Sequence, residues 1–142
     1  MNEMIAAVVG AAIGALVTIA VTWWVAKQSA KEQHYVHTDS LYVSILKLYL
    51  EHPDFASAAK TDDYATAFGD DTARYGVFAA LTHNFLETVY DLFYERRKNR
   101  IHPQWERIFN HHARLHLNWL LREKNACEPE YVAFVRARFA RA

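Results

Sequence analysis

Eight histidines are the side chains of this 142-residue sequence best suited to metal or proton chemistry. His112 and His116 are four residues apart and therefore lie on one face of a predicted helix. A di-iron bundle needs Glu-x-x-His twice, and a zinc protease needs His-Glu-x-x-His. Neither pattern occurs. We therefore predict no metal site and no cofactor, and we expect His112 and His116 to form hydrogen bonds inside an aromatic core.

Three carboxylates, Glu87, Asp91 and Glu95, follow one another at four-residue steps along a predicted helix. Buried carboxylates can act as general acids or bases, whereas exposed ones form a solvated face or a docking surface for arginines. The sequence contains neither a phosphate-binding glycine loop nor a Gly-x-Ser-x-Gly motif, and it has only 4 glycines. We predict that the protein is not an enzyme and has no catalytic residues.

Charge is distributed unevenly along the chain. Residues 27–95 contain 5 basic and 11 acidic residues, a net charge of −6, and residues 96–142 contain 11 basic and 4 acidic residues, a net charge of +7. The two segments can pack against each other, or the basic one can face an anionic membrane or acidic partner. A third interpretation is an anion site formed by Arg96, Arg97, Arg100, Arg136 and Arg138. A total net charge of zero argues against nucleic acid as a partner.

The N-terminal 26 residues have a different composition. From Met4 to Ala26 no side chain is ionisable, and a helix of about 21 residues spans about 31 Å, close to the hydrocarbon thickness of a bilayer. A cleaved signal peptide would have a positively charged start, which "MNEM" lacks, and a buried helix would need a larger core than the remaining residues provide. We predict a transmembrane anchor over residues 1–27.

The residues that flank this run predict its orientation. Trp23 and Trp24 precede Lys27, as expected of residues that anchor a helix in the headgroup layer. Positive charge follows the run and is absent before it, so the N-terminus is predicted outside and the C-terminal domain in the cytoplasm. This indicates the inner (plasma) membrane of a bacterium, with the lipid bilayer itself as one partner.

Small side chains recur every four residues within the same run, at Ala6, Gly10, Gly14, Thr18 and Thr22. Membrane helices associate through close packing of small residues. We expect this stripe to pack on other transmembrane subunits or on a second copy of the chain, the alternative being a simple anchor.

Residues 28–142 are predicted to form a cytoplasmic bundle of about four helices, which makes the fold class all-α. "LYVSILKLYLEH" follows a possible helix cap at Thr38 or Asp39, and its apolar residues cover most of the helix circumference, which predicts a nearly surrounded helix. "HPDFASAAKTDDYATAFGDD" reads as a loop with one or two short helical turns. Three further helices follow. Their inward-facing residues are predicted to lie between Tyr75 and Leu92, between Trp105 and Trp119, and between Tyr131 and Phe139.

Several segments, "LYLEHPDF", "HNFLETVYDLF", "IHPQWERIF", "NWL" and "EYVAFVRAR", resemble a group of uncharacterised bacterial proteins with one N-terminal membrane helix and a small helical bundle. The shared positions are aromatic packing positions, and the resemblance implies the architecture without a reaction, a cofactor or site residues.

The sequence thus predicts a non-enzymatic accessory subunit of a larger membrane complex, of respiratory, photosynthetic or transport type. It would dock through the small-residue stripe and through its cytoplasmic domain. The alternative is an oligomeric membrane effector that is gated by an anionic ligand bound in the cytoplasm.

Overall fold

A computed structural model describes the backbone of residues 2–139 and the side chains of residues 18, 19, 21–29, 32–123 and 125–139. It is about 88% helical, which confirms the predicted all-α class. Short 3-10 turns join the helices, and two short strands interrupt their order. The elements are α1 Asn2–Glu51, α2 Ala58–Asp62, α3 Tyr64–Ala67, α4 Thr72–Phe93, β1 Tyr94–Glu95, β2 Arg100–Ile101, α5 Pro103–Leu115, α6 Leu117–Arg122 and α7 Pro129–Phe139.

The prediction of a transmembrane helix is wrong for the part of the chain that the structure describes. No helix there combines the length and the apolar character that crossing a bilayer requires. Most of the predicted span, residues 1–17, lies outside the residues whose side chains the structure describes. Ala6, Gly10 and Gly14 of the predicted packing stripe lie outside the residues whose side chains are described.

Helix α1 continues without interruption past the predicted cap at Thr38 and Asp39, so that prediction is also wrong. Thr38 is fully buried in the middle of the helix instead. The chain divides into two compact units immediately before Thr38, Met1–His37 and Thr38–Ala142. The second unit contains the core.

Helices α4 and α5 carry most of the buried side chains of the second unit. The predicted inward residues of α4 from Tyr75 to Val89 are buried, and Leu92 at the end of the row is partly exposed. On α5 and α6 the predicted inner face is confirmed from Trp105 to Trp119. Pro103 occupies the first turn of α5, where its missing N–H leaves no hydrogen bond unmade.

The segment between α1 and α4 is helical in short pieces, as predicted, and it also contributes to the core. Phe55 and Tyr64 are buried, and their rings lie 5.5 and 5.3 Å from the ring of Tyr75. Helix α4 ends in a hairpin in which Tyr94 pairs with Ile101. Asn99 adopts the left-handed conformation that closes this turn, with φ of 49°.

The α1 segment from Thr38 onward packs on one side only, contrary to the predicted nearly surrounded helix. Its inward side chains recur every three or four residues, at Thr38, Leu41, Tyr42, Ile45, Leu48 and Tyr49. Val43, Leu46 and Leu50 are on the opposite side and are 49%, 40% and 84% exposed. An apolar face of this helix therefore remains exposed to solvent.

Candidate functional site

A break between α5 and α6 places His116 at the centre of the core. Its φ and ψ of −107° and 20° interrupt the helix, but the backbone remains satisfied. The His116 N–H donates to the carbonyl of His112 at 3.1 Å, and the His116 carbonyl accepts from the N–H of Leu120 at 3.2 Å. That carbonyl also lies 3.1 Å from Nε2 of His83. The break therefore links α4 to α5 and α6 through one residue.

The side chain of Tyr49, on α1, contacts His116 at this break. Its hydroxyl oxygen lies 3.0 Å from Nδ1 of His112 and 2.7 Å from Nε2 of His116. The other ring nitrogen of His116, Nδ1, lies 2.9 Å from the hydroxyl of Tyr75. A separate contact of 2.8 Å joins Nδ1 of His83 to the hydroxyl of Tyr131. We call these six side chains the tyrosine–histidine network: Tyr49, Tyr75, His83, His112, His116 and Tyr131.

The hydrogen positions in the network follow from counting donors and acceptors. A carbonyl only accepts, so Nε2 of His83 carries its proton and Nδ1 accepts from Tyr131. If Tyr75 donates to Nδ1 of His116, then Nε2 of His116 donates to Tyr49, and Tyr49 donates to His112. The opposite direction would leave the Tyr75 proton without an acceptor among the described residues. We therefore assign the first direction, with the proton of His112 on Nε2.

Burial keeps every member of the network neutral at pH 7. Desolvation lowers the pKa of His83 to about 4, and the hydrogen bond to the His116 carbonyl offsets only part of this. Desolvation, assisted by nearby His111, lowers the pKa of His112 to about 4. The pKa of His116 is also well below its ordinary value, because of burial and the neighbouring histidines.

The tyrosines of the network shift in the other direction. Burial raises the pKa of Tyr49, Tyr75 and Tyr131, because the charged phenolate would be desolvated. A general acid or base works best when its pKa lies near the working pH. None of the six groups meets that condition at pH 7. The arrangement is suited to joining helices rather than to acid–base catalysis.

Aromatic rings surround the network and fix its geometry. Tyr42 stacks on Phe85 at 5.6 Å and meets His112 edge-on at 5.8 Å. Tyr49 meets Phe78 edge-on at 4.8 Å. The prediction that His112 and His116 form hydrogen bonds inside an aromatic core is therefore confirmed. Their tyrosine partners were expected only to pack, although a buried tyrosine hydroxyl usually needs a polar partner, and that rule is the signal that could have identified them.

The residues of the predicted membrane-packing stripe and anchors are only partly described. Thr22 donates its hydroxyl to the carbonyl of Thr18 at 2.8 Å, a bond within α1 itself. The ammonium of Lys27 lies 5.0 Å from the ring of Trp23, and Trp24 is exposed. The roles predicted for these residues stay predictions.

Two of the five arginines of the predicted anion site form ion pairs with carboxylates of the protein. Arg100 pairs with Glu95 at 3.3 Å, and Arg138 pairs with Glu106 at 2.6 Å. The remaining three, Arg96, Arg97 and Arg136, are exposed. Two of the five guanidinium groups are thus already matched by carboxylates of the same unit.

The acidic and basic segments are connected at few points in the described residues. Glu95 pairs with Lys98 at 3.1 Å as well as with Arg100, and these salt bridges lower the pKa of its carboxyl. Glu87 accepts the backbone N–H of Glu128 at 2.6 Å, just before α7 begins. Asp91 is exposed. The three carboxylates at four-residue steps therefore stabilise local structure or face solvent. Arg107 and Arg114 of α5 form no ion pair with a described residue.

No protein-family model, curated protein or solved structure matches this chain. The resemblance to single-pass membrane proteins stays a prediction. A proposal for the function therefore depends on the geometry of the molecule alone.

Proposed function

We propose that this protein is a non-enzymatic accessory subunit that binds a larger assembly through an exposed apolar face of α1. The observation that carries the proposal is the position of Val43, Leu46 and Leu50 on one side of the helix, all exposed. The predicted location of that assembly at a membrane stays a prediction.

The spacing of these three residues makes them one surface. Positions 43, 46 and 50 are separated by three and four residues, so their side chains project from the same side of α1. We call this surface the α1 face. Full burial of a Val or Leu side chain is worth about 1.5–3 kcal/mol. A partner that covers the α1 face gains most of that energy from Leu50, which is 84% exposed, and about half of it from each of Val43 and Leu46, which are 49% and 40% exposed.

The opposite side of the same helix is held rigidly. Ile45 is buried, and Tyr49 is fixed by two hydrogen bonds. Tyr42 stacks on Phe85 and meets His112 edge-on. A surface held in its binding conformation loses little entropy when a partner docks. The tyrosine–histidine network therefore supports the proposal by fixing the helix that presents the α1 face.

The unit formed by residues 1–37 has apolar surface of its own. Each described side chain between residues 18 and 34 is exposed, including Ile19, Trp23, Trp24 and Val25. Apolar residues so exposed are typical of a surface that another molecule covers. This second surface also favours a subunit of an assembly.

The test is affinity purification of the full chain from its native source under gentle conditions. We expect fixed stoichiometric partners with the wild type, and we expect their loss with Val43→Gln, Leu46→Gln and Leu50→Gln combined. The matched control is Val77→Gln with Leu81→Gln, which alters two exposed apolar residues of α4 and should retain the partners. Recovery of the chain alone, or equal loss in both variants, would contradict the proposal.

A further inference from the structure

A cleft of about 630 Å³ opens between α2, α5 and the end of α7, and none of its described lining residues belongs to α1. Its polar lining consists of Asp62, Asn110, His111 and Arg114, and Leu115 and Phe139 contribute apolar wall. Clefts of this volume are typical of small-molecule sites, which combine apolar walls with a few polar groups.

Asn110 is the first sign that the cleft takes a ligand. Its side-chain oxygen Oδ1 is buried and has no hydrogen-bond donor among the described residues. A buried acceptor without a partner costs free energy, and native proteins rarely leave one. Asn110 also lines the cleft, so a ligand N–H group would supply the missing donor once the side chain turns its oxygen toward the cleft.

The charges in the cleft are the second sign. Arg114 forms no ion pair with any residue that the structure describes, and Asp62 and Arg114 line one cleft without pairing with each other. Asn118 donates to the backbone carbonyl of Asp62 at 2.9 Å, and it lies 3.5 Å from the carboxylate. The cleft thus presents one positive and one negative group, neither of which has an ion-pair partner among the described residues.

We infer that this cleft binds a free α-amino acid with an apolar side chain. The α-carboxylate pairs with the guanidinium of Arg114. The ammonium group donates to the carboxylate of Asp62 and, once the Asn110 side chain rotates to bring its buried oxygen to the cleft surface, to Oδ1 of Asn110. The apolar side chain packs against Leu115 and Phe139. A zwitterion is the ligand class that matches two opposite charges held apart in one apolar cleft. The inference is independent of the proposed subunit role, because it uses a different surface.

The test is isothermal titration of the full chain with L-leucine and L-phenylalanine at millimolar concentration. We expect saturable binding of at least one of them. N-acetyl-L-leucine lacks the ammonium group and L-leucinamide lacks the carboxylate, so both should bind about 10-fold more weakly or worse. Absence of binding by both free amino acids would overturn the inference, as would equal binding of the two blocked compounds.

Substitutions of the charged residues that line the cleft test whether the ligand binds there. Arg114→Gln and Asp62→Asn should each weaken binding by about 10-fold or more. The matched control is Arg107→Gln, since Arg107 lies on the same helix but lines a separate cleft beside Tyr42, and it should bind like the wild type. All three positions are exposed, and circular dichroism melting confirms that each variant folds. Equal weakening by Arg114→Gln and Arg107→Gln would show a nonspecific charge effect and contradict the assigned site.

Discussion

The hydroxyl of Tyr49 lies 2.7 Å from Nε2 of His116, and this contact ties α1 to the break between α5 and α6. The same oxygen bonds to Nδ1 of His112. One phenol on α1 therefore satisfies two buried imidazoles that lie more than 60 positions later in the chain. The contact fixes the helix that carries the α1 face, so the stability of the core and the proposed binding role depend on the same residue.

Replacing Tyr49 with phenylalanine should destabilise the protein by about 2–3 kcal/mol, because it leaves two buried ring nitrogens without a partner. Equilibrium urea unfolding of the full chain measures this. The control is Tyr94→Phe, which removes a hydroxyl bonded to Oδ1 of Asn99 at 2.6 Å in an exposed position, and we expect a loss of about 1 kcal/mol or less. Equal losses in the two variants would contradict the assigned role of Tyr49.

Stability should fall as the pH is lowered from about 6.5 towards 4. The pKa of His83 and of His112 is about 4 in the folded protein, against an ordinary value of 6.5 for a solvated histidine. Between these values the unfolded chain binds more protons, so acid favours unfolding. Each histidine should contribute a loss of about 2 kcal/mol between pH 7.5 and 5.

Urea unfolding at pH 7.5, 6 and 5 follows this loss, with the steepest change below 6.5. Titration of the histidine ring protons by NMR in the folded state gives the matching pKa values directly. A free energy of unfolding that stays constant from pH 7.5 to 5 would show that these imidazoles are not desolvated, and the network would then be wrongly described.

Because α1 packs on one side only, substitutions on its two sides should change the free energy of unfolding by different amounts. Ile45→Ala should cost about 2–5 kcal/mol, since it opens a cavity in the core. Leu50→Gln should change the free energy of unfolding by about 0.5 kcal/mol or less, because its side chain is exposed. Urea unfolding of both variants makes the comparison. A large loss with Leu50→Gln would mean that the α1 face is covered in the isolated chain.

Much of the core could be predicted from helical periodicity. The inward rows from Tyr75 to Val89 and from Trp105 to Trp119 follow the three- and four-residue spacing of a packed helix, and the position of Pro103 in its first turn was equally predictable. Periodicity reports which side of a helix is apolar. It therefore identifies a core whenever the helix has a single apolar side.

The same reasoning was wrong for α1 because its apolar residues lie on several sides. Leu46 and Leu50 looked like core residues next to Ile45 and Tyr49, and composition cannot distinguish a surrounded helix from one with an uncovered face. The hydrogen bonds of Tyr49 were also missed. Its partners His112 and His116 follow it by 63 and 67 positions, and contacts over such a separation leave no local signal in the sequence. The cleft at Arg114 depends on three helices and is likewise invisible in the sequence.

The α1 face as a partner surface is tested most directly by site-specific photo-crosslinking. A photoreactive side chain is placed at Leu50 in the full chain in its native source, with a second version at Ala133, an exposed position of α7. We predict a defined crosslink from position 50 to a different protein, and none from position 133. A crosslink from position 50 only to a second copy of the chain, or no crosslink at all, would contradict the account.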